Sequence, residues 1–196
     1  MSRKAEIKRA TTETDITVGL QIGEGEPSSI KSGVPFFDHM LDAMSRHGRF
    51  RLRLECRGDT EVDDHHTVED VGICIGKALK KALGDKAGIE RFGSAVVPMD
   101  DALAMVTVDL SGRAYFRYTG TALSGLIGRY SEELTVEFLR SLAQNGEMNL
   151  HVTVFYGENR HHIHEAVFKA LGVALKKAVR IDPSAGGEVP STKGAL

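Results

Sequence analysis

Residues 65–83 read HHTVEDVGICIGKALKKAL, and residues 161–179 read HHIHEAVFKALGVALKKAV. At a constant offset the two share His, His, Glu, Val, Gly, Ala, Leu, Lys, Lys and Ala. Agreement over a whole helix length points to an internal duplication. The flanking chain supports it: residues 35–55 (PFFDHMLDAMSRHGRFRLRLE) can be laid on residues 133–153 (ELTVEFLRSLAQNGEMNLHVT). Met40-Leu41 then meets Phe138-Leu139, Met44 meets Leu142, Gly48 meets Gly146, and Leu52 and Leu54 meet Leu150 and Val152. A weaker match pairs residues 16–20 with residues 104–108.

The same plan of elements appears twice. Residues 16–22, 50–55, 103–110 and 149–155 alternate apolar and polar positions as strands do. Residues 36–46 and 133–142 have the apolar spacing of amphipathic helices, ending near Gly48 and Gly146. The two His-His segments are rich in Ala, Leu and Lys and form longer helices. Each half thus supplies strands, a helix, a strand and a helix. The expected fold is an α/β (α+β) sandwich of duplicated halves with helices on one face of each sheet. The break falls near residues 88–93, giving residues 1–92 and 93–196 as repeats within a single functional domain. Residues 184–194 (SAGGEVPSTKG) read as a mobile tail.

Composition narrows the function classes. The chain has 196 residues, 41% hydrophobic and 27% charged, which fits a soluble globular domain with a real core. With 25 Lys+Arg against 27 Asp+Glu, no basic field argues for nucleic acid. No apolar run reaches the roughly 18 residues of a membrane span. Cys56 and Cys74 form neither a disulfide framework nor a zinc pattern, and residues 1–9 lack a signal-peptide core, so a cytoplasmic location is expected.

HHxxE on a helix sets its first His and its Glu one turn apart on one face, the spacing with which HExxH chelates an ion. The second His is rotated by about 100° and suits an ion held mainly by another helix. One such motif on a charged helix is an ordinary solvated face. Two at equivalent places in a duplication point to paired sites. Site A takes His161, Glu165 and His66; site B takes His65, Glu69 and His162. The duplication aligns His39 with Glu137, which assigns His39 to site A and Glu137 to site B. Imidazole and carboxylate donors without thiolate suit manganese first, with zinc or iron as alternatives. His47 is two helical turns from His39, about 12 Å, so the two cannot share an ion. His47 is either a contact to a substrate hydroxyl or a helix C-terminal cation. His164 has no counterpart in the first motif and is left out as a ligand, and His151 reads as a hydrogen-bonded structural histidine.

The segments FFDHMLDAMSRHG (36–48), DDHHTVEDVGI (63–73), GENRHHIHEAVFKA (157–170) and STKG (191–194) make the chain resemble imidazoleglycerol-phosphate dehydratase in its monofunctional form. ERFG (90–93) and DLSGRAYF (109–116) are also similar to family segments. The resemblance runs through nearly the whole chain. It implies a ribosomal protein S5 domain 2-like fold and a 24-subunit homo-oligomer of metal-linked trimers with active sites between subunits. It implies two Mn²⁺ per active site, and Glu137 stands where many members carry a histidine ligand. It matches Glu13, on an N-terminal loop, to substrate binding and proton transfer, with metal-bound water as the competing base. Arg91, Arg113, Lys169, Ser191 and Lys193 match phosphate-contacting positions.

The implied reaction is a carbon–oxygen lyase step of histidine biosynthesis: imidazole-glycerol phosphate loses water to give imidazole-acetol phosphate. The departing proton sits on a carbon with no adjacent carbonyl. A metal-bound imidazolate can expel the neighbouring hydroxyl to a diazafulvene-like intermediate, which acidifies the next C–H. Two other readings use the same donors: a two-metal phosphoester hydrolase, and a metal-binding scaffold without turnover.

Overall fold

The computed structural model describes residues 3–194. The first half runs β1 (Lys4–Ala10), β2 (Thr14–Ile22), β3 (Ser29–Lys31), α1 (Pro35–Gly48), β4 (Phe50–Gly58) and α2 (His65–Leu83). The second runs β5 (Phe92–Met99), β6 (Ala102–Asp109), β7 (Tyr115–Gly120), a small hairpin of β8 (Leu126–Ile127) and β9 (Tyr130–Ser131), α3 (Glu133–Gly146), β10 (Asn149–Tyr156) and α4 (Arg160–Ala178). Each half forms a four-stranded sheet, β1-β2-β4-β3 and β5-β6-β10-β7. In both, two antiparallel pairings are followed by one parallel pairing at the last edge. The mixed α/β class expected from the sequence is what the chain adopts.

Strand alternation decides the inner faces. Ile16, Val18, Leu20, Leu52 and Leu54 point inward from the first sheet; Ala104, Val106, Val108, Leu150, Val152 and Val154 do so from the second. Helix α2 packs on β1 and β2, and α4 packs on β5 and β6. The helices also pair across the halves, α1 on α4 and α2 on α3. A helix covered by a sheet on one side and a helix on another must be apolar nearly all round, and α4 is buried at most positions from Ile163 to Leu175.

Two helices end at the glycines expected from the sequence. Gly48 and Gly146 are the last helical residues, and the left-handed caps are Arg49 (φ 52°) and Glu147 (φ 48°). The glycine at 48 answers to packing: a Cβ there would sit 2.5 Å from the Phe50 ring and 3.2 Å from the Gly172 carbonyl oxygen. His151, expected to be hydrogen-bonded, is exposed on the outer face of β10 beside the Tyr115 ring.

Candidate metal centre

The α1–α4 pairing builds one cluster from the two halves. His161 and Glu165 share a face of α4 one turn apart, with His161 Nε2 3.8 Å from Glu165 Oε1. Helix α1 delivers His39, whose Nε2 lies 2.9 Å from the same oxygen. The potential donor atoms of His39, His161 and Glu165 all lie within 4.8 Å of one another. Phe36 packs edge-on against the His161 ring at 5.3 Å between centroids and limits its rotation. Lys169, one turn beyond Glu165, donates to its Oε2 at 2.8 Å. Burial works to raise the Glu165 carboxyl, but the Lys169 ammonium and His39 hold it below its ordinary value. The group stays an anion beside two imidazoles. Two imidazoles and a carboxylate, with no thiolate, fit a divalent ion of the manganese, iron or zinc type and leave coordination positions open.

The second expected cluster is looser. His65 Nε2 lies 3.8 Å from Glu69 Oε2 on α2. Glu137, on α3, is hydrogen-bonded by Arg140 of its own helix. His66 and His162 do not join either group within one chain. His66 turns its Nδ1 to Asp59, 3.0 Å away, and its Nε2 to Glu13 at 3.8 Å. The Asp59 contact favours the charged imidazole and raises its pKa. His162 turns its Nδ1 to Asp101 at 2.5 Å, and its Nε2 lies 3.5 Å from Asp100. The N–H of Asn159 first, then the His162 ring and the N–H of Glu158, hold the Asp101 carboxyl well below the usual carboxylate range.

The expected phosphate contacts fall into separate places. Lys169 sits at the His39–His161–Glu165 cluster. Arg91 is braced by Asp109 (Nε to Oδ1, 2.7 Å) and donates Nη1 to the Pro190 carbonyl at 2.8 Å. That bond brings the chain carrying Ser191 and Lys193 beside Arg91, and the Lys193 N–H donates to Ser191 Oγ. Arg113 lies in the β6–β7 turn against Ser111. His47 is in the last turn of α1, exposed.

Several charged residues lay outside the sequence reading: Asp59, Asp100 and Asp101, which meet His66 and His162, and two ion pairs at helix N-termini. Arg129, beside the β8–β9 hairpin, reaches Asp64 ahead of α2 at 3.0 Å, and Arg160 at the start of α4 reaches the buried Glu132. Turn chemistry accounts for aspartates at such positions without any site, so composition alone gave no signal. His164, left out as a ligand, is fully buried and pairs its Nδ1 with Thr135 Oγ1 at 3.0 Å.

Comparison with known proteins places relatives along the length of the chain. A family model described as imidazoleglycerol-phosphate dehydratase matches residues 32–175. The dehydratase of Desulforudis audaxviator is 58% identical over 195 residues, covering 99% of this chain and 98% of its own. That of Geobacillus kaustophilus is 55% identical over 197 residues, covering both chains fully. Among solved structures, the Pyrococcus furiosus enzyme in complex with (S)-C348 superposes with a TM-score of 0.84 at 37% identity, covering 97% of this chain and 100% of its own. The Staphylococcus aureus enzyme gives 0.83 at 34% identity, covering 91% and 99%. With a family model over most of its length and relatives above half identity from end to end, the chain belongs to the imidazoleglycerol-phosphate dehydratase family, hydro-lyases of histidine biosynthesis.

Proposed function

We propose that the chain dehydrates D-erythro-imidazole-glycerol phosphate with two manganese ions at each active site, one held by His39, His161, Glu165 and His66, the other by His65, Glu69, Glu137 and His162. The observation that carries the reading is the His39–His161–Glu165 cluster, three ligand-competent groups converging from two helices with a cation, Lys169, one turn away. Since His66 and His162 face away from those groups within one chain, the reading takes them as donors to ions of neighbouring copies, in a 24-subunit assembly with sites between subunits. The two repeats, 1–92 and 93–196, then form one functional domain, and a biosynthetic role goes with a cytoplasmic location.

Bound ions would supply Lewis acidity that lowers the pKa of the substrate's imidazole N–H and favours the imidazolate. The chain's own residues do the rest. Arg91, Arg113, Lys169, Ser191 and Lys193 hold the phosphate, Arg through paired N–H groups and Lys as a point charge. His47 contacts the departing hydroxyl. Loss of that hydroxyl from the carbon beside the ring leaves a diazafulvene-like species. Glu13 then removes the neighbouring proton, and the enol becomes the ketone. Support for Glu13 is its place in the β1–β2 turn, exposed and 3.8 Å from His66 Nε2.

The test uses protein stripped of metal and restored with Mn²⁺, given imidazole-glycerol phosphate while ketone and free phosphate are followed. Metal-dependent ketone without phosphate is the expected result. Phosphate release would make the chain a two-metal hydrolase, and tight metal binding with neither product would leave a scaffold. An N-methylated imidazole substrate should be inert; its turnover would exclude the imidazolate route.

A further inference from the structure

In each His-His pair, the first histidine faces the glutamate of its own helix. His65 lies 3.8 Å from Glu69, and His161 lies 3.8 Å from Glu165. The second histidine, turned away by the helical rotation, has its Nδ1 against an aspartate instead: His66 on Asp59 at 3.0 Å, His162 on Asp101 at 2.5 Å. We propose that Asp59 and Asp101 are positioning residues that fix the tautomer and ring direction of His66 and His162, presenting each Nε2 as a metal donor. This rests on the ligand reading above. An ionised carboxylate only accepts hydrogen bonds. A neutral imidazole bound to it must carry its hydrogen on Nδ1, which leaves the Nε2 lone pair bare.

The two aspartates come from different places in the repeat. Asp59 follows β4 ahead of α2, whereas Asp101 is in the β5–β6 turn. The strand match that sets residues 16–20 on 104–108 places Glu13 opposite Asp101, yet Glu13 faces Nε2 of His66, not Nδ1. The same contact therefore arises by two routes, which copying of one half cannot explain. Each aspartate is also held in place. Asp101 Oδ2 accepts the N–H groups of Glu158 (2.7 Å) and Asn159 (2.8 Å), leaving Oδ1 for the imidazole. The Asp59 N–H donates to the Glu13 carbonyl at 3.1 Å, and its carbonyl accepts from Val62 at 2.8 Å. The His66 contact is thereby tied to the turn that carries Glu13.

This difference in anchoring separates tautomer control from mere charge. In Asp59→Asn the amide is free to rotate its oxygen toward His66 Nδ1–H. In Asp101→Asn the oxygen is needed by the two backbone N–H groups. The NH₂ then faces His162 and selects the tautomer with hydrogen on Nε2, which cannot bind metal.

The experiment is calorimetric titration of the metal-stripped full chain with Mn²⁺, with circular dichroism as the folding control. Asp59→Ala and Asp101→Ala should each weaken one class of site by about 10–100-fold. Asp101→Asn should match Asp101→Ala, while Asp59→Asn should stay close to wild type. If an alanine variant does not fold, the asparagine pair decides. His66→Ala and His162→Ala keep the two hypotheses apart. If they lose a class of site while all folded aspartate variants bind as wild type, the proposal is overturned and the ligand reading stands. If they also bind as wild type, both fall. Equal losses in the two asparagine variants would mean a charge effect and would overturn tautomer control.

Discussion

Glu165 is the residue on which the cluster turns, since one of its oxygens meets His39 and the other meets Lys169. Glu165→Gln keeps the shape but leaves Lys169 without its counter-charge and removes the only carboxylate that reaches His39 and His161 in the group. Bound manganese per chain, measured by mass spectrometry on dialysed protein, is expected to fall by one ion with little change in circular dichroism. An unchanged metal content would remove Glu165 from the ligand set. Beneath the cluster, His164 shows a different kind of control. Burial, then the neighbouring His161 and Arg160 charges, push its pKa down from 6.5 to about 4. Above pH 6.5 the residue is neutral in folded and unfolded chains and contributes no pH dependence. As pH falls from there, the unfolded chain takes up a proton that the folded chain refuses, so stability drops until about pH 4. That lowering corresponds to roughly 3 kcal/mol at the rate of about 1.4 kcal/mol per pKa unit. Urea unfolding of metal-free protein between about pH 7 and about pH 4.5 should show that slope, and His164→Asn should flatten it. A variant with the wild-type slope would show that other groups carry it.

At the scale of elements, the crossed helix pairs α1–α4 and α2–α3 assemble the centre, and glycines permit them. A Cβ on Gly172 of α4 would lie 2.4 Å from the Met44 carbonyl oxygen and 2.9 Å from the Gly48 nitrogen of α1. One on Gly76, its counterpart in α2, would lie 2.8 Å from the Gly146 nitrogen and the Leu142 oxygen of α3. Alanine in an unpacked helix would gain up to about 1 kcal/mol over glycine. Here overpacking against backbone costs about 1–3 kcal/mol, so the sign reverses. Gly172→Ala should lower stability in chemical denaturation and also weaken metal binding, because it forces α1, with His39, away from Glu165. Gly19→Ala, where the new Cβ meets Arg53 Cβ at 3.6 Å, is the tolerated comparison. The limits of sequence reading show at this scale. The span 65–83 of α2 was legible from its own pattern, as were the central strands β2, β4, β6 and β10, because each buries one alternating face. The edge strand β1 was not, since KAEIKRA has only Ala5 and Ile7 pointing to the core. Amphipathic spacing says that α1 has a buried face but not that α4 covers it. The i,i+4 pairs of the site were readable within one helix. Asp59 and Asp101 were not, because they reach their histidines from turns, Asp101 across 61 residues.

The whole molecule has two unlike outer faces. The first sheet presents Lys4, Glu6, Lys8, Arg53 and Glu55 to solvent. The second presents Phe92, Val96, Tyr115 and Phe155, each at least half exposed. Large apolar side chains left exposed on one sheet face suit contact with another protein, and a second copy of the chain is the partner that the proposed assembly would supply. In the proposed assembly two kinds of contact would hold the copies together: apolar sheet faces, and His66 or His162 donated to a neighbour's ion. They respond to different perturbations. A chelator removes only the second, so light scattering should show the mass falling to a smaller oligomer and returning with Mn²⁺. Val96→Glu places a charge in the apolar face and should lower the mass even with metal present. His66→Ala combined with His162→Ala should reproduce the chelated state and no longer answer to Mn²⁺. If the mass ignores chelation and the paired histidine variant still assembles fully, metal does not join the copies, and His66 and His162 must act within their own chain.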